Sequence, residues 1–111
     1  MKFNCDDHDH MTIVQMSGDF SHEYVDAFRR AMSERLGRGV RDFVLQMNEV
    51  QFIDSLALET LLWLQESSAE LLGQIRLVDP SPNLRKILEM TRLDHYFEAQ
   101  ADVPAAVKSL R

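Results

Sequence analysis

The chain is short of everything that would build a catalytic loop. It has only 4 Gly, and no Gly-x-Ser-x-Gly elbow or glycine-rich phosphate cradle occurs. A single cysteine, Cys5, rules out an intramolecular disulfide and any paired-cysteine metal or redox motif, which fits a reducing compartment. Basic charge is scarce as well: 12 Lys+Arg stand against 18 Asp+Glu, a net charge of −6. Nucleic-acid binding needs clustered cations to release counterions, and anionic lipid surfaces repel an acidic chain. The longest aliphatic and aromatic run, Leu61 to Leu64, is far short of the roughly 20 residues of a membrane span, and Met1 to His10 lacks the basic start and apolar stretch of a signal peptide. These absences point to a cytoplasmic protein that inserts in no membrane, is not an enzyme, needs no cofactor and works by binding another protein.

What is present is enough apolar material for one core. At 111 residues with 45% hydrophobic side chains, and with no Pro/Gly/Ser-rich linker, residues 1–111 are expected to form a single domain. Lys2–Asp6 and Met11–Met16 read as strands around a polar turn, Asp7 to His10. Val25, Phe28, Met32 and Leu36 keep one face of a helix from His22 to Leu36, stopped by Gly37 and Gly39. Phe43–Met47 is a buried strand. Asp54 and Ser55 are both good caps for a long helix, Leu56 to Leu72, that ends at Gly73. Ile75–Val78 is a strand, Ser81-Pro82 starts a helix carrying Leu84, Ile87 and Leu88, Tyr96–Ala99 is a last strand, and Asp102 caps a final helix. The order β-β-α-β-α-β-α-β-α predicts an α/β fold with one mixed sheet of about five strands and about four helices packed on it.

The long helix has two arcs when its residues are spaced at about 100° each. Leu58, Leu61, Leu62, Leu64, Ala69, Leu71 and Leu72 fill one arc. Glu59, Thr60, Glu66, Ser67 and Glu70 fill the other, with Leu56 and Trp63 in its middle. Either another segment covers these two side chains, or they form a binding stripe with Trp63 as aromatic anchor and Glu59 and Thr60 as its polar surround. His8 and His10, flanking Asp9 in a polar turn, are two histidines without a third fixed metal ligand nearby in sequence and are read as solvated. His22 and His95 have no readable partner, and Cys5 reads as a small core residue.

Three blocks resemble the STAS domain, the family of anti-sigma factor antagonists and related regulatory modules. Ser17-Gly18-Asp19-Phe20 resembles the family's Gly-acid-apolar turn before its first helix. Val44 to Leu58 (VLQMNEVQFIDSLAL) resembles the pattern VLDLSxVxFIDSSGL and is the most specific block. Ile75 to Leu93 resembles the segment after the second helix. The resemblance spans residues 3–110 and implies a STAS-like fold and a protein–protein switch. In that switch an anti-sigma factor kinase is bound, then phosphorylates a serine at the start of the second helix and so ends the complex.

Asp54 and Ser55 match the pattern's Asp and first Ser. With the phosphate acceptor taken at the next position, it falls on Leu56, which has no hydroxyl. The Gly that follows is Ala57, the strand Asp is Gln46, and the acid before the first helix is Ser21. The ordinary switch is then absent or rebuilt. Ser55 is the open substitute for phosphorylation, although its hydroxyl is expected to be tied to backbone amides. The implied partner is an anti-sigma factor or related kinase-like regulator, met by Gly18, Ser21, Asp54, Ser55, Leu56, Glu59, Thr60 and Trp63. The alternative is a small STAS-like accessory subunit of a lipid-transport ATPase complex. Nucleotide binding, which some STAS domains show, is disfavoured by the few glycines and bases near the turn. The oligomeric state stays open.

Overall fold

The computed structural model describes residues 1–110. The elements follow the expected order: strands β1 (Lys2–His8) and β2 (Met11–Ser17), a 3-10 turn (His22–Tyr24) leading into helix α1 (Val25–Gly37), then strand β3 (Asp42–Glu49), helix α2 (Ser55–Glu70), strand β4 (Ile75–Val78), helix α3 (Pro82–Met90), strand β5 (Glu98–Gln100) and helix α4 (Val103–Ser109). They build one mixed sheet in the spatial order β1-β2-β3-β4-β5. The β1–β2 pair is antiparallel and all later pairs are parallel, each reached through a helical crossover.

The period-two alternation of the strands sorts the helices between the two faces. Phe43, Leu45 and Met47 of β3, with Val14 and Met16 of β2, point into the main core with Phe28 and Met32 of α1, Leu61 and Leu64 of α2, and Leu84 and Leu88 of α3. Val44 and Val78 point the other way and meet Ala106 of α4, flanked by Ile13, Val107 and Leu110. Three helices therefore cover one face of the sheet and one short helix covers the other.

Several boundaries differ from the sequence expectation, each for a local reason. The first strand runs on to His8, and His8 pairs with Met11 across a two-residue turn in which Asp9 takes φ +51°. Asp7 is thus a strand residue, held by the Thr12 hydroxyl at 2.7 Å and by Arg35 Nε of α1 at 2.9 Å. At the end of α1, Gly39 (φ +93°) is the left-handed residue, whereas Gly37 is still helical. Tyr96 and Phe97 lie in the turn after α3, where both amides donate to the Leu93 carbonyl, so β5 starts only at Glu98.

The largest difference is at the end of α2. The helix stops at Glu70, and Leu72, expected in the core, has φ +64° and is 89% exposed. Ala69 and Leu71 are exposed with it. The chain turns there because the Ser68 carbonyl accepts the Leu71 amide at 3.0 Å and the Gly73 amide at 2.8 Å. The buried Ser68 hydroxyl donates to the Arg41 carbonyl, which anchors α2 to the segment before β3. Gly73 packs against that same carbonyl, so closely that a Cβ would collide with it.

Gly73→Ala is therefore expected to destabilise the fold by about 1–3 kcal/mol through forced overpacking. Chemical denaturation measures it, and an unchanged midpoint would contradict the packing described.

Candidate functional site

The parallel pairing of β2 with β3 does not stop where the strands end. The Gly18 amide donates to the Glu49 carbonyl at 3.0 Å, the Phe20 amide to Phe52 at 2.9 Å, and the Asp54 amide to Phe20 at 3.2 Å. Phe20 and Ile53 form a parallel bridge, and both side chains are buried. Gly18 takes φ +88° at the start of this extension, with Met1 close by. Two loops distant in sequence are thereby zipped side by side, and the starts of α1 and α2 come together.

Asp54 joins them. One carboxylate oxygen accepts the Ala57 amide at 2.9 Å, which caps α2. The other accepts the His22 amide at 2.6 Å, at the first residue of the 3-10 turn, and lies 3.2 Å from His22 Nδ1. The Ala57 amide, followed by the His22 amide and ring, holds the Asp54 carboxyl below the ordinary carboxylate range. His22 thus has a partner that the sequence did not reveal. No local pattern could have shown it, since the two residues meet only through loop register.

The cap is Asp54 alone, and this overturns the expectation for Ser55. Ser55 sits at the first helical position and is exposed rather than tied up as a cap. Leu56 beside it is 47% exposed. Ser21 precedes the 3-10 turn, half-buried, and its carbonyl accepts the Tyr24 amide at 3.0 Å.

Further along α2 the expected stripe is altered by α1. Thr60, expected as a polar surround at the surface, is 2% exposed because α1 packs over it, and its hydroxyl is satisfied by the Leu56 carbonyl at 2.9 Å. Trp63 is half-buried against the main core, with the Arg29 guanidinium carbon 4.3 Å from its ring centre. Leu56, Glu59, Trp63 and Glu66 line one wall of a groove of about 460 Å³, Thr60 lies in it, and Val25, Asp26 and Arg29 of α1 supply the opposite wall. The structure so brings together Asp54, Ser55, Leu56, Glu59 and Trp63, with Gly18 and Ser21 on the adjoining loop, and removes Thr60 from the surface.

Away from this site, His8 pairs with Asp6 at 2.8 Å. His95, without a readable partner in the sequence, is almost fully exposed beside Asp94. Cys5 is half-buried, and burial pushes its thiol pKa up, consistent with a packing residue.

Replacing the shared cap tests this geometry. Asp54→Ala is expected to cost about 0.5–2 kcal/mol near neutral pH, the usual loss for a capping side chain. Because the folded carboxyl titrates below its unfolded value, this contribution is complete above about pH 4 and fades as pH falls through the lowered folded value. Denaturation of wild type and variant across that acid range should show the two stabilities converging. A difference that stays constant with pH would refute the role of the charge.

The family model described as "STAS domain" matches residues 2–106. A STAS-domain containing protein of Pseudomonas aeruginosa is 33% identical over 85 residues, 77% of this chain and 83% of that protein. An anti-sigma F factor antagonist of Paenibacillus polymyxa is 27% identical over 94 residues, 84% of this chain and 80% of that protein. Among solved structures, a candidate anti-sigma factor antagonist of Thermotoga maritima superposes with a TM-score of 0.90 at 22% identity, covering 98% of this chain and 94% of that one, a likeness of fold. No helix among the described residues is long and apolar enough to cross a membrane. The mixed sheet, its helical crossovers and the match along nearly the whole sequence make this chain a member of the STAS domain family.

Proposed function

We propose that this STAS domain is a non-enzymatic binding module that docks a regulatory protein, an anti-sigma factor or a related kinase-like regulator, at the start of α2 and along the wall that carries Leu56 and Trp63. The observation that carries the reading is the exposure of Leu56 next to a rigid helix start. Asp54 fixes that start from both sides, so a partner meets a preformed surface and has little to order on binding.

Ser55 gives the same surface a switch. Leu56 cannot accept a phosphate, but the exposed Ser55 hydroxyl beside it can, one residue into the helix. A phosphate there would gain from the helix dipole and the free first-turn amides. It would also place about two negative charges against the apolar contact at Leu56, which opposes docking.

Binding of the purified kinase-like regulator to the two truncations is the test. Leu56→Ala should weaken binding about tenfold or more, some 1.4 kcal/mol, while changing stability by about 0.5 kcal/mol or less. Trp63→Ala should lower both, because its ring also packs on the core. Normal binding by Leu56→Ala would place the interface elsewhere.

Incubation with the regulator and ATP should add one phosphate by intact mass, localised to Ser55 and absent from Ser55→Ala. A phosphate that persists in that variant, or no phosphate on a chain that binds, would remove the switch from the proposal.

A further inference from the structure

The groove between α1 and α2 has a charge pattern that packing does not explain. Leu56, Glu59, Trp63 and Glu66 recur at helical spacing along one stripe of α2, so apolar and acidic side chains alternate over about 15 Å. Asp26 adds a carboxylate from α1. Elsewhere arginines find acids: Arg35 meets Asp7 at 2.9 Å, Arg38 meets Glu34 at 3.8 Å and Arg76 meets Glu98 at 3.5 Å. Among the described residues, none of Asp26, Glu59 and Glu66 lies within ion-pair distance of a cation. Arg29, the base in the groove, lies over the Trp63 ring instead. Helix α2 itself carries acids and no Lys or Arg.

We propose that this groove receives a positively charged amphipathic helix of the partner protein, with its apolar residues on Leu56 and Trp63 and its Lys or Arg side chains on Asp26, Glu59 and Glu66. The proposal rests on the docking reading of Leu56 and Trp63 and adds the chemistry of what docks. A neutral or acidic partner would have to desolvate three uncompensated carboxylates around the apolar centre, whereas a basic helix supplies their counter-charges as it covers them. Such a helix needs about three turns to follow the stripe from Leu56 to Glu66, and the attraction also steers its approach to a chain of net charge −6.

Trp63 is the chain's single tryptophan, so its emission reports on this groove alone. The full chain is titrated with a Trp-free helical peptide of Leu and Lys in amphipathic pattern, and with its Leu/Glu counterpart. The basic peptide should give a saturable shift of Trp63 emission and the acidic one none. Glu59→Gln with Glu66→Gln should weaken the basic peptide about tenfold or more, while the same charge loss off the groove, Glu70→Gln with Glu89→Gln, should leave affinity within about twofold. Circular dichroism checks that both double variants stay folded.

Equal losses in the two double variants would reduce the effect to net charge and overturn the proposal. So would equal binding of the acidic peptide, or a Trp63 shift on concentrating the protein alone, which would make a second copy the occupant. The docking reading fails separately. If Leu56→Ala abolishes binding of the regulator while the basic peptide does not seat, docking stands and the basic helix is wrong. If the peptide seats but Leu56→Ala leaves the regulator bound, the reverse holds.

Discussion

Asp54 places one carboxylate between two helix starts, accepting the Ala57 amide of α2 with one oxygen and the amide and ring of His22, 32 residues earlier, with the other. The bonds to His22 require the loops after β2 and β3 to run in register, and the Phe20–Ile53 bridge and its flanking amide bonds enforce that register. A carboxylate that satisfies the orphan amides of two helical segments also meets the positive end of each dipole. The surface at the start of α2 depends on this junction. It fixes where α2 begins, which residue caps it and which side chains are left free at its start.

The second constraint is the packing of α1 across α2. A helix seen alone has one apolar and one polar arc, and the polar arc would face water. Here α1 lies over part of that arc, buries Thr60 and leaves Glu59 and Glu66 on the rim of a groove with Asp26 and Arg29 opposite. Trp63 is held at the edge, partly in the core and partly under a guanidinium. It therefore contributes to the fold and to the surface at once. Leu56, two residues from the cap at the end of the groove, is 47% exposed and outside the main core. That difference makes Leu56 the cleaner probe of docking.

In the proposed docking mode of this STAS domain, the apolar Leu56 stands beside the exposed Ser55, so contact and phosphate acceptance would fall on neighbouring residues. In that proposal Leu56 would contribute buried area to the complex, while a phosphate would be carried by Ser55. Because Asp54 supplies the cap, Ser55 is not needed for helix stability and its hydroxyl is available. With the cap assigned to Asp54, the Ser55 hydroxyl and the Leu56 side chain are both left exposed at the same helix start.

The order of strands and helices, the mixed sheet and a cap at Asp54 or Ser55 follow from the sequence, because alternation in the strands, helical periodicity and Ser, Asp and Pro at helix starts are local signals. The blocks around Gly18 and from Val44 to Leu58 also carried the family. What the sequence could not decide were features made by contacts distant along the chain. Leu72 looked like core because its period continued, but the Ser68 carbonyl and the close approach of Gly73 to Arg41 end the helix first. Thr60 looked exposed until α1 was laid over it. Ser55 and Asp54 were equivalent as caps by residue type, and His22 showed no partner, until the β2–β3 register brought His22 to Asp54. A one-dimensional pattern specifies which face of an element is apolar; only the tertiary structure specifies what lies against the other face.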